Sequence, residues 1–205
     1  MPATIQARPN GPYLVKGVND LRDAAGQPIA HEPVFALCRC GGSKNKPFCD
    51  STHKTNGFSG TRISDGSSDK VDTYRAPSIT IRDNRSICAH AGICTDSLAT
   101  VFKYGSEPWI DPAGASAEEI AKTVARCPSG ALSCSVDGSA PMAVEQAPGI
   151  TVTKDGPYAV RGEIELVDAQ WAQGASRDRY TLCRCGASKN KPFCDGSHWD
   201  AGFKG

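Results

Sequence analysis

Two stretches of this chain place three cysteines and a histidine at one spacing. Cys38, Cys40, Cys49 and His53 follow C-x-C-x8-C-x3-H, and so do Cys183, Cys185, Cys194 and His198. Thiolates and neutral imidazoles are ligands for iron and zinc. Two cysteines one residue apart can reach a single tetrahedral metal from a strand end. A cysteine and a histidine four apart face the same side if a short helix starts near Asp50 or Asp195, and can hold a second metal. Those aspartates are placed to cap such a helix. Two irons with two protein ligands each make a [2Fe–2S] cluster. The same ligands in a Cys3His zinc site are the alternative, although C-x-C is tighter than the usual zinc-finger pair. Gly41, Gly42 and Gly186 would let backbone approach an inorganic sulfide closely, and Pro47 and Pro192 would stiffen the return to the third cysteine. Arg39, Lys44, Lys46, Arg184, Lys189 and Lys191 flank the ligands. Cations there would favour a reduced, more negative site and steer an acidic partner; otherwise they are solvated loop residues.

A third set of cysteines lies between. Cys88-Ala89-His90-Ala91-Gly92-Ile93-Cys94 is followed by Cys127-Pro128-Ser129-Gly130-Ala131-Leu132. Bacterial ferredoxins use C-x2-C-x2-C and a remote C-P around a cubane cluster. Here Cys88 and Cys94 fill the first and third places, Ala91 stands in the second, and Cys127 is the remote ligand. Three cysteines suit a [3Fe–4S] cluster; a [4Fe–4S] cluster needs a fourth ligand, with His90 or solvent nearest. Cys134 falls outside the pattern and reads as a small buried apolar residue. A ferredoxin-like fold that has lost its cluster is the bland alternative.

The elements that must position these residues are written twice. Residues 11–58 recur as 156–203 at an offset of 145, with 25 of 48 positions identical and no gap. Within 38–53 and 183–198, 13 of 16 positions are identical. Strands are expected at Tyr13–Val15, Val34–Leu37, Tyr158–Val160 and Tyr180–Leu182, pairing as antiparallel structure that leads into each cysteine loop. The expected division is 8–75, 76–148 and 149–205, with a turn-rich stretch Ser64–Asp69 before the middle segment. In that segment Ile79–Arg82 reads as a strand. Ser116 and Glu119 form a capping box opening a helix over about 117–126. A second helix is expected over about 95–102.

The end segments resemble the CDGSH iron–sulfur (mitoNEET-like) domain family, whose signature is C-x-C-x2-[ST]-x3-P-x-C-D-G-[SAT]-H. Cys183 to His198 match it fully; the first copy departs only at Ser51, where the family has Gly. The resemblance implies a [2Fe–2S] cluster in each copy with an exposed histidine-ligated iron. In the family two modules associate as a dimer, so the tandem copies imply an intramolecular pseudo-dimer about an approximate two-fold axis. Residues 79–136 resemble the divergent single-cluster ferredoxins. The fold class expected is α+β: two small β-rich modules joined as a pseudo-dimer, plus a ferredoxin-like α+β domain.

Composition narrows the rest. The formal net charge is +1, so no bulk field points to nucleic acid or membrane. No apolar segment approaches the roughly 20 residues that span a bilayer, and the first residues lack the apolar stretch of a secretory signal. The expectation is a cytoplasmic monomer. Ten cysteines there point to metal rather than to five disulfides. No flavin, nicotinamide or phosphate-binding fingerprint is present. His31 has Ser176 as its counterpart and reads as an ordinary surface residue. The function expected is electron transfer with redox partner proteins, without conversion of an organic substrate. The rivals are donation of clusters to apo-protein acceptors, redox sensing, and an enzyme whose pocket the sequence hides.

Overall fold

The computed structural model describes residues 2–66, 69–140 and 146–205. Ser67 and Ser68 of the turn-rich stretch, and residues 141–145 before the second boundary, lie outside the described residues.

Four strands open the chain: β1 (Thr4–Ala7), β2 (Tyr13–Lys16), β3 (Leu21–Arg22) and β4 (Val34–Leu37). The middle segment holds β5 (Val71–Ala76), β6 (Ile79–Asn84), helices α1 (Ile93–Ser97) and α2 (Ala117–Ala125), and β7 (Leu132–Val136). The last segment holds β8 (Gly149–Val152), β9 (Tyr158–Arg161), β10 (Glu165–Val167) and β11 (Arg179–Leu182).

The repeat maps β1 to β4 onto β8 to β11, but the sheets do not respect chain order. One sheet runs β10-β1-β2-β4 and the other β11-β9-β8-β3. Each copy therefore lends its third strand to the other: β1 pairs parallel with β10 (Ile5 opposite Leu166), and β8 pairs parallel with β3 (Ile150 opposite Leu21). The exchange unites both sheets over one core, in which Ile5, Val15, Leu21 and Leu37 pack with Ile150, Val160, Leu166 and Leu182. Alternate residues of β2 and β9 point inward, as expected of strands buried on one face. Tyr13 and Tyr158, equivalent in the repeat, meet edge-to-face with centroids 6.1 Å apart. Each hydroxyl crosses the pseudo-axis. Tyr13 donates to the carbonyls of Cys183 and Pro192, and Tyr158 to those of Cys38 and Pro47, at 2.9–3.0 Å. The end modules thus form the expected intramolecular pseudo-dimer.

The middle segment is a small α+β unit with its own core of Ile79, Ile81, Phe102, Ile110, Ile120 and Val124. Its sheet is antiparallel, in the order β5-β6-β7. The capping box forms: Glu119 N–H donates to Ser116 Oγ at 3.3 Å, and Ser116 N–H donates to Glu119 Oε2 at 3.1 Å. The second helix differs from expectation. It covers Ile93–Ser97 rather than 95–102. Gly92 starts it in the left-handed region, at φ 74°, and the chain leaves it at Leu98 so that Val101 and Phe102 turn fully into the core.

Candidate metal centres

Each end-module site is built where a strand runs out. Cys38 and Cys183 directly follow β4 and β11 and are buried. Cys38 Sγ lies 3.9 Å from Cys40 Sγ, and Cys183 Sγ 3.8 Å from Cys185 Sγ. The loop returns so that Cys49 and Cys194 donate N–H to Ala36 and Thr181 carbonyls of the same strands. His53 Nδ1 then lies 3.4 Å from Cys49 Sγ, and His198 Nδ1 3.5 Å from Cys194 Sγ. These separations have chemical content. Two sulfurs each about 2.3 Å from one tetrahedral centre lie roughly 3.8 Å apart, and a sulfur and an imidazole nitrogen roughly 3.6 Å apart. Each site therefore offers two chelating pairs. Among the described residues, no three or more His, Cys, Asp or Glu are gathered as for one ion. The donor sets fit a two-metal cluster better than a mononuclear zinc centre.

His53 lies in a 3-10 turn, Thr52–Lys54, and Asp50 braces it from two residues before. Asp50 Oδ1 accepts from Thr52 N–H at 3.0 Å while Oδ2 accepts from Lys44 N–H at 2.8 Å. Asp195 binds Ser197 and Lys189 in the same way. The carboxylate thus ties the outgoing loop to the returning one. The Thr52 hydroxyl and the Lys44 N–H hold Asp50 well below the usual carboxylate range. Ser43 and Ser188 add a second tie, donating to Phe48 and Phe193 carbonyls at 2.7 Å and accepting from Asn45 and Asn190 N–H at 3.0 Å. Sequence reasoning missed Tyr13 and Tyr158, Asp50 and Asp195 as loop staples, and both serines. Their recurrence at the 145 offset was the available signal.

The glycines and the flanking cations have surroundings the sequence did not show. Gly41 and Gly186 do keep the left-handed φ values only glycine adopts freely, 76° and 82°. They also lie against the other copy's loop, which the sequence did not show: a Cβ on Gly41 would sit 2.5 Å from Cys185 O, and one on Gly186 2.8 Å from Cys40 O. The flanking cations are not all solvated. Arg39 and Arg184 are buried, and Arg184 donates to the carbonyls of Gly156, Thr153 and Gly205 at 2.7–2.8 Å. Lys191 is buried too, while Lys44 and Lys189 are exposed. Three carbonyl oxygens converging from two chain segments satisfy a guanidinium that loop sequence alone assigns to solvent.

The thiols do not share one electrostatic environment. Burial pushes Cys38 up and Cys194 up to about 12. Cys185 is pushed down to about 6 by the Cys183 thiol hydrogen bond, helped by the backbone N–H groups of Ala187 and Ser188. Backbone donors also reach the ligand sulfurs directly: Ser51 N–H to Cys49 Sγ at 3.3 Å, and Ala187 N–H to Cys185 Sγ at 3.4 Å. Burial pushes the His198 imidazole down, which favours the neutral form that can ligate.

In the middle segment Cys88 follows a 3-10 turn, Cys94 sits in α1 and Cys127 lies just past α2. All three face one cleft of about 1160 Å³. Burial raises the Cys88 thiol to about 11 and raises Cys94, and the Cys127 charge pushes both further the same way. Cys134 lies apart on β7, buried in the core opposite Ile81. His90 does not turn to the cysteines alone; its ring lies against Gly196 of the C-terminal site.

Comparison with known proteins places this geometry. Residues 10–54 and 155–199 both match the family described as iron-binding zinc finger CDGSH type, and residues 74–137 match the divergent 4Fe-4S mono-cluster family. The chain belongs to the CDGSH iron-binding family, in two copies around a divergent 4Fe-4S domain. It is an iron–sulfur protein. Uncharacterized protein YjdI of Escherichia coli K12 is 34% identical over 59 residues, which are 29% of this CDGSH chain and 78% of YjdI; the O157:H7 protein gives the same figures. No solved structure matches the chain. No helix among the described residues is long and apolar enough to cross a membrane.

Proposed function

We propose that the protein is a one-electron carrier with a [2Fe–2S] cluster on Cys38, Cys40, Cys49 and His53, a second on Cys183, Cys185, Cys194 and His198, and a third, ferredoxin-type cluster on Cys88, Cys94 and Cys127. The observation that carries this reading is the pairing of ligands at tetrahedral-chord distances in both loops. Bound clusters supply reversible one-electron redox chemistry. The chain's own residues hold that chemistry in place. The tyrosine hydroxyls and the aspartate and serine ties fix the loops before any metal enters, so the ligands need little rearrangement. Backbone N–H groups aimed at Cys49 and Cys185 stabilise negative charge on sulfur and raise the potential. Buried Arg39 and Arg184 act in the same direction, as fixed positive charge beside sites that grow more negative on reduction. Redox partner proteins, rather than an organic substrate, are the counterparts of this design. Ten unpaired cysteines fit a reducing cytoplasm.

The middle cluster is a [4Fe–4S] by family resemblance and a [3Fe–4S] by cysteine count. Iron and sulfide analysis under anaerobic conditions, with EPR of oxidised and reduced protein, tests the whole assignment. About four irons per chain means end clusters only, about seven adds a [3Fe–4S] centre and about eight a [4Fe–4S] centre. Iron without sulfide would overturn the reading in favour of mononuclear sites. A second reading, donation of clusters to apo-proteins, is favoured by the half-buried His53 and Cys49 in an open loop. Mixing with an apo-ferredoxin separates the two, because visible absorbance moves to the acceptor only if the cluster moves.

A further inference from the structure

The two iron-binding loops are near-copies in sequence and unequal in their surroundings. Asn45, Cys49 and His53 are exposed or half-buried, whereas Asn190 is 5% exposed, Cys194 2% and His198 5%. The cause is a third party. Asn190 Nδ2 donates to Ser86 O of the middle segment at 2.9 Å, and the N–H groups of Ile63 and Ser64 both donate to Lys189 O at 2.9 Å. The His90 ring lies on Gly196 so closely that a Cβ there would meet His90 Cδ2 at 2.6 Å. Trp199 Nε1 donates to His90 O at 3.1 Å, and the Trp199 ring lies 5.2 Å from His198. At the equivalent places in the first copy, Ser51 and Lys54 are exposed.

We propose that the middle segment is a cover that closes the C-terminal ligand set through Ser86 and His90, leaving the N-terminal set as the site where metal is exchanged with acceptors. The inference rests on the reading that both loops hold clusters. Iron leaves a ligand set only as an incoming donor replaces the outgoing one. Each iron bond lost by cysteine or histidine is made good by a thiolate of the acceptor, and the proton given up by the acceptor thiol passes to the freed side chain. An incoming thiolate must reach the metal from outside; Cys40 and Cys185 are half-buried alike, and of the two cysteine–histidine edges Cys49–His53 is open to it while Cys194 and His198 are buried. The fitting partner is an apo-protein that brings its own thiolates. His90 is a positioning residue here: it shields a ligand set to which it contributes no donor.

The test follows both loops in one sample. Loaded protein, with iron and sulfide per chain measured first, is exposed to ferrozine and iodoacetamide, and tryptic peptides are quantified by mass spectrometry. The peptides carrying Cys49 and Cys194 are distinguished by Ser51-Thr52 against Gly196-Ser197. Cys49 should label first, by roughly ten- to a hundredfold, the range for losing a supporting residue around a metal. Iron release read by absorbance should contain one phase matching each labelled loop, beside the iron of the middle cluster. His90→Ala should bring the slow phase toward the fast one, and Trp199→Phe, which removes the indole donor and keeps an aromatic ring, should move it part of the way. Equal labelling of Cys49 and Cys194 in the parent protein, or a ratio unmoved by both substitutions, overturns the proposal. Protein that carries no sulfide at the outset overturns the cluster reading instead.

Discussion

Residues 38–53 and 183–198 share their inner contacts, yet the Cys49–His53 edge of one is half-open and the Cys194–His198 edge of the other is covered. On the inner side the copies obey the pseudo-axis. Tyr13 and Tyr158 cross it reciprocally, and Gly41 and Gly186 each lie against the opposite loop. On the outer side the symmetry ends, because among the described residues the middle segment docks on the C-terminal loop through Ser86 and His90. The single departure from the family signature falls where this difference would place it. Gly196 takes φ 86° with His90 pressed on it, so no side chain fits. Ser51 takes φ 72° in the open, where a side chain is strained but not obstructed. Identical local sequence therefore fixes ligand geometry, and the neighbour decides access.

Removing the neighbour's own cluster is the most drastic way to probe this contrast. Cys127→Ala should cost about three or four irons per chain, the content of one ferredoxin-type cluster. Cys134→Ala should cost none, because that thiol packs in the middle core. Anaerobic iron and sulfide analysis of both variants checks the assignment, and loss of a cluster from the Cys134 variant would sink it.

The inner symmetry can be weighed next. Tyr13→Phe removes the hydroxyl donor to Cys183 O, and Tyr158→Phe the donor to Cys38 O; the proline carbonyls each keep a cysteine N–H at 2.8 Å. Two carbonyls lose the tyrosine donor in each case and only the proline one keeps a cysteine N–H, at a cost of about 1–3 kcal/mol. Urea denaturation should give nearly equal losses for the two variants. A large inequality would mean that the middle segment reaches through to the inner face and that the asymmetry is not confined to the outer one.

Much of this architecture was legible in the sequence because it is local. The ligand spacing and the Ser116–Glu119 box each depend on residues close in the chain, the repeat is read by laying one copy on the other, and the capping box forms as expected. The exchange of β3 and β10 was not legible. Both strands are only two or three residues long, and a repeat does not say which copy a strand joins. The buried guanidinium groups were hidden for a similar reason: Arg184 is satisfied by carbonyls 21 to 31 residues away in the chain. The docking of His90 on Gly196 joins two domains, and no periodicity or motif encodes such a contact. The expected helix over 95–102 failed where tertiary burial of Val101 and Phe102 outweighed local helix preference.

Exchanging the one departing residue between loops sharpens the comparison at smaller scale. Gly196→Ser should destabilise the protein by about 1–3 kcal/mol, through left-handed strain and displacement of His90. Ser51→Gly should change stability by well under 1 kcal/mol, since relief of strain is offset by the greater freedom of glycine in the unfolded chain. Thermal or urea unfolding reads both. Equal and opposite effects would show that His90 exerts no pressure on Gly196.

The smallest expected effect concerns pH. Imidazole ligates through an unprotonated nitrogen, and a free histidine has a pKa of about 6.5, so protons compete with iron as pH falls through that region. Iron holds the cysteines as thiolates and gives them no comparable switch there. The two histidines are not equally placed. Burial pushes His198 down, although the nearby Asp195 pulls the other way. A histidine whose folded pKa is depressed contributes stability in full above its unfolded pKa, and that contribution is lost as pH falls below about 6.5, because the released imidazole binds the proton. Within the covered loop the imidazole stays neutral to lower pH than free histidine. Because the Cys49–His53 edge is half-buried and the Cys194–His198 edge is buried, acid loss should start at the N-terminal site and reach the C-terminal site later. Release should quicken about threefold between pH 7 and pH 6, the rise in the protonated fraction of a free imidazole. His53→Cys alone should slow the early phase at pH 6, His198→Cys alone should leave it unchanged, and the double substitution should slow both phases. Each added thiolate also brings one negative charge and should lower the reduction potential. Visible absorbance decay against pH, with a redox titration of each variant, measures this. If the double variant lost its colour as fast as the parent at pH 6, histidine would not be the weak ligand, and the contrast between the loops would have to rest on access alone.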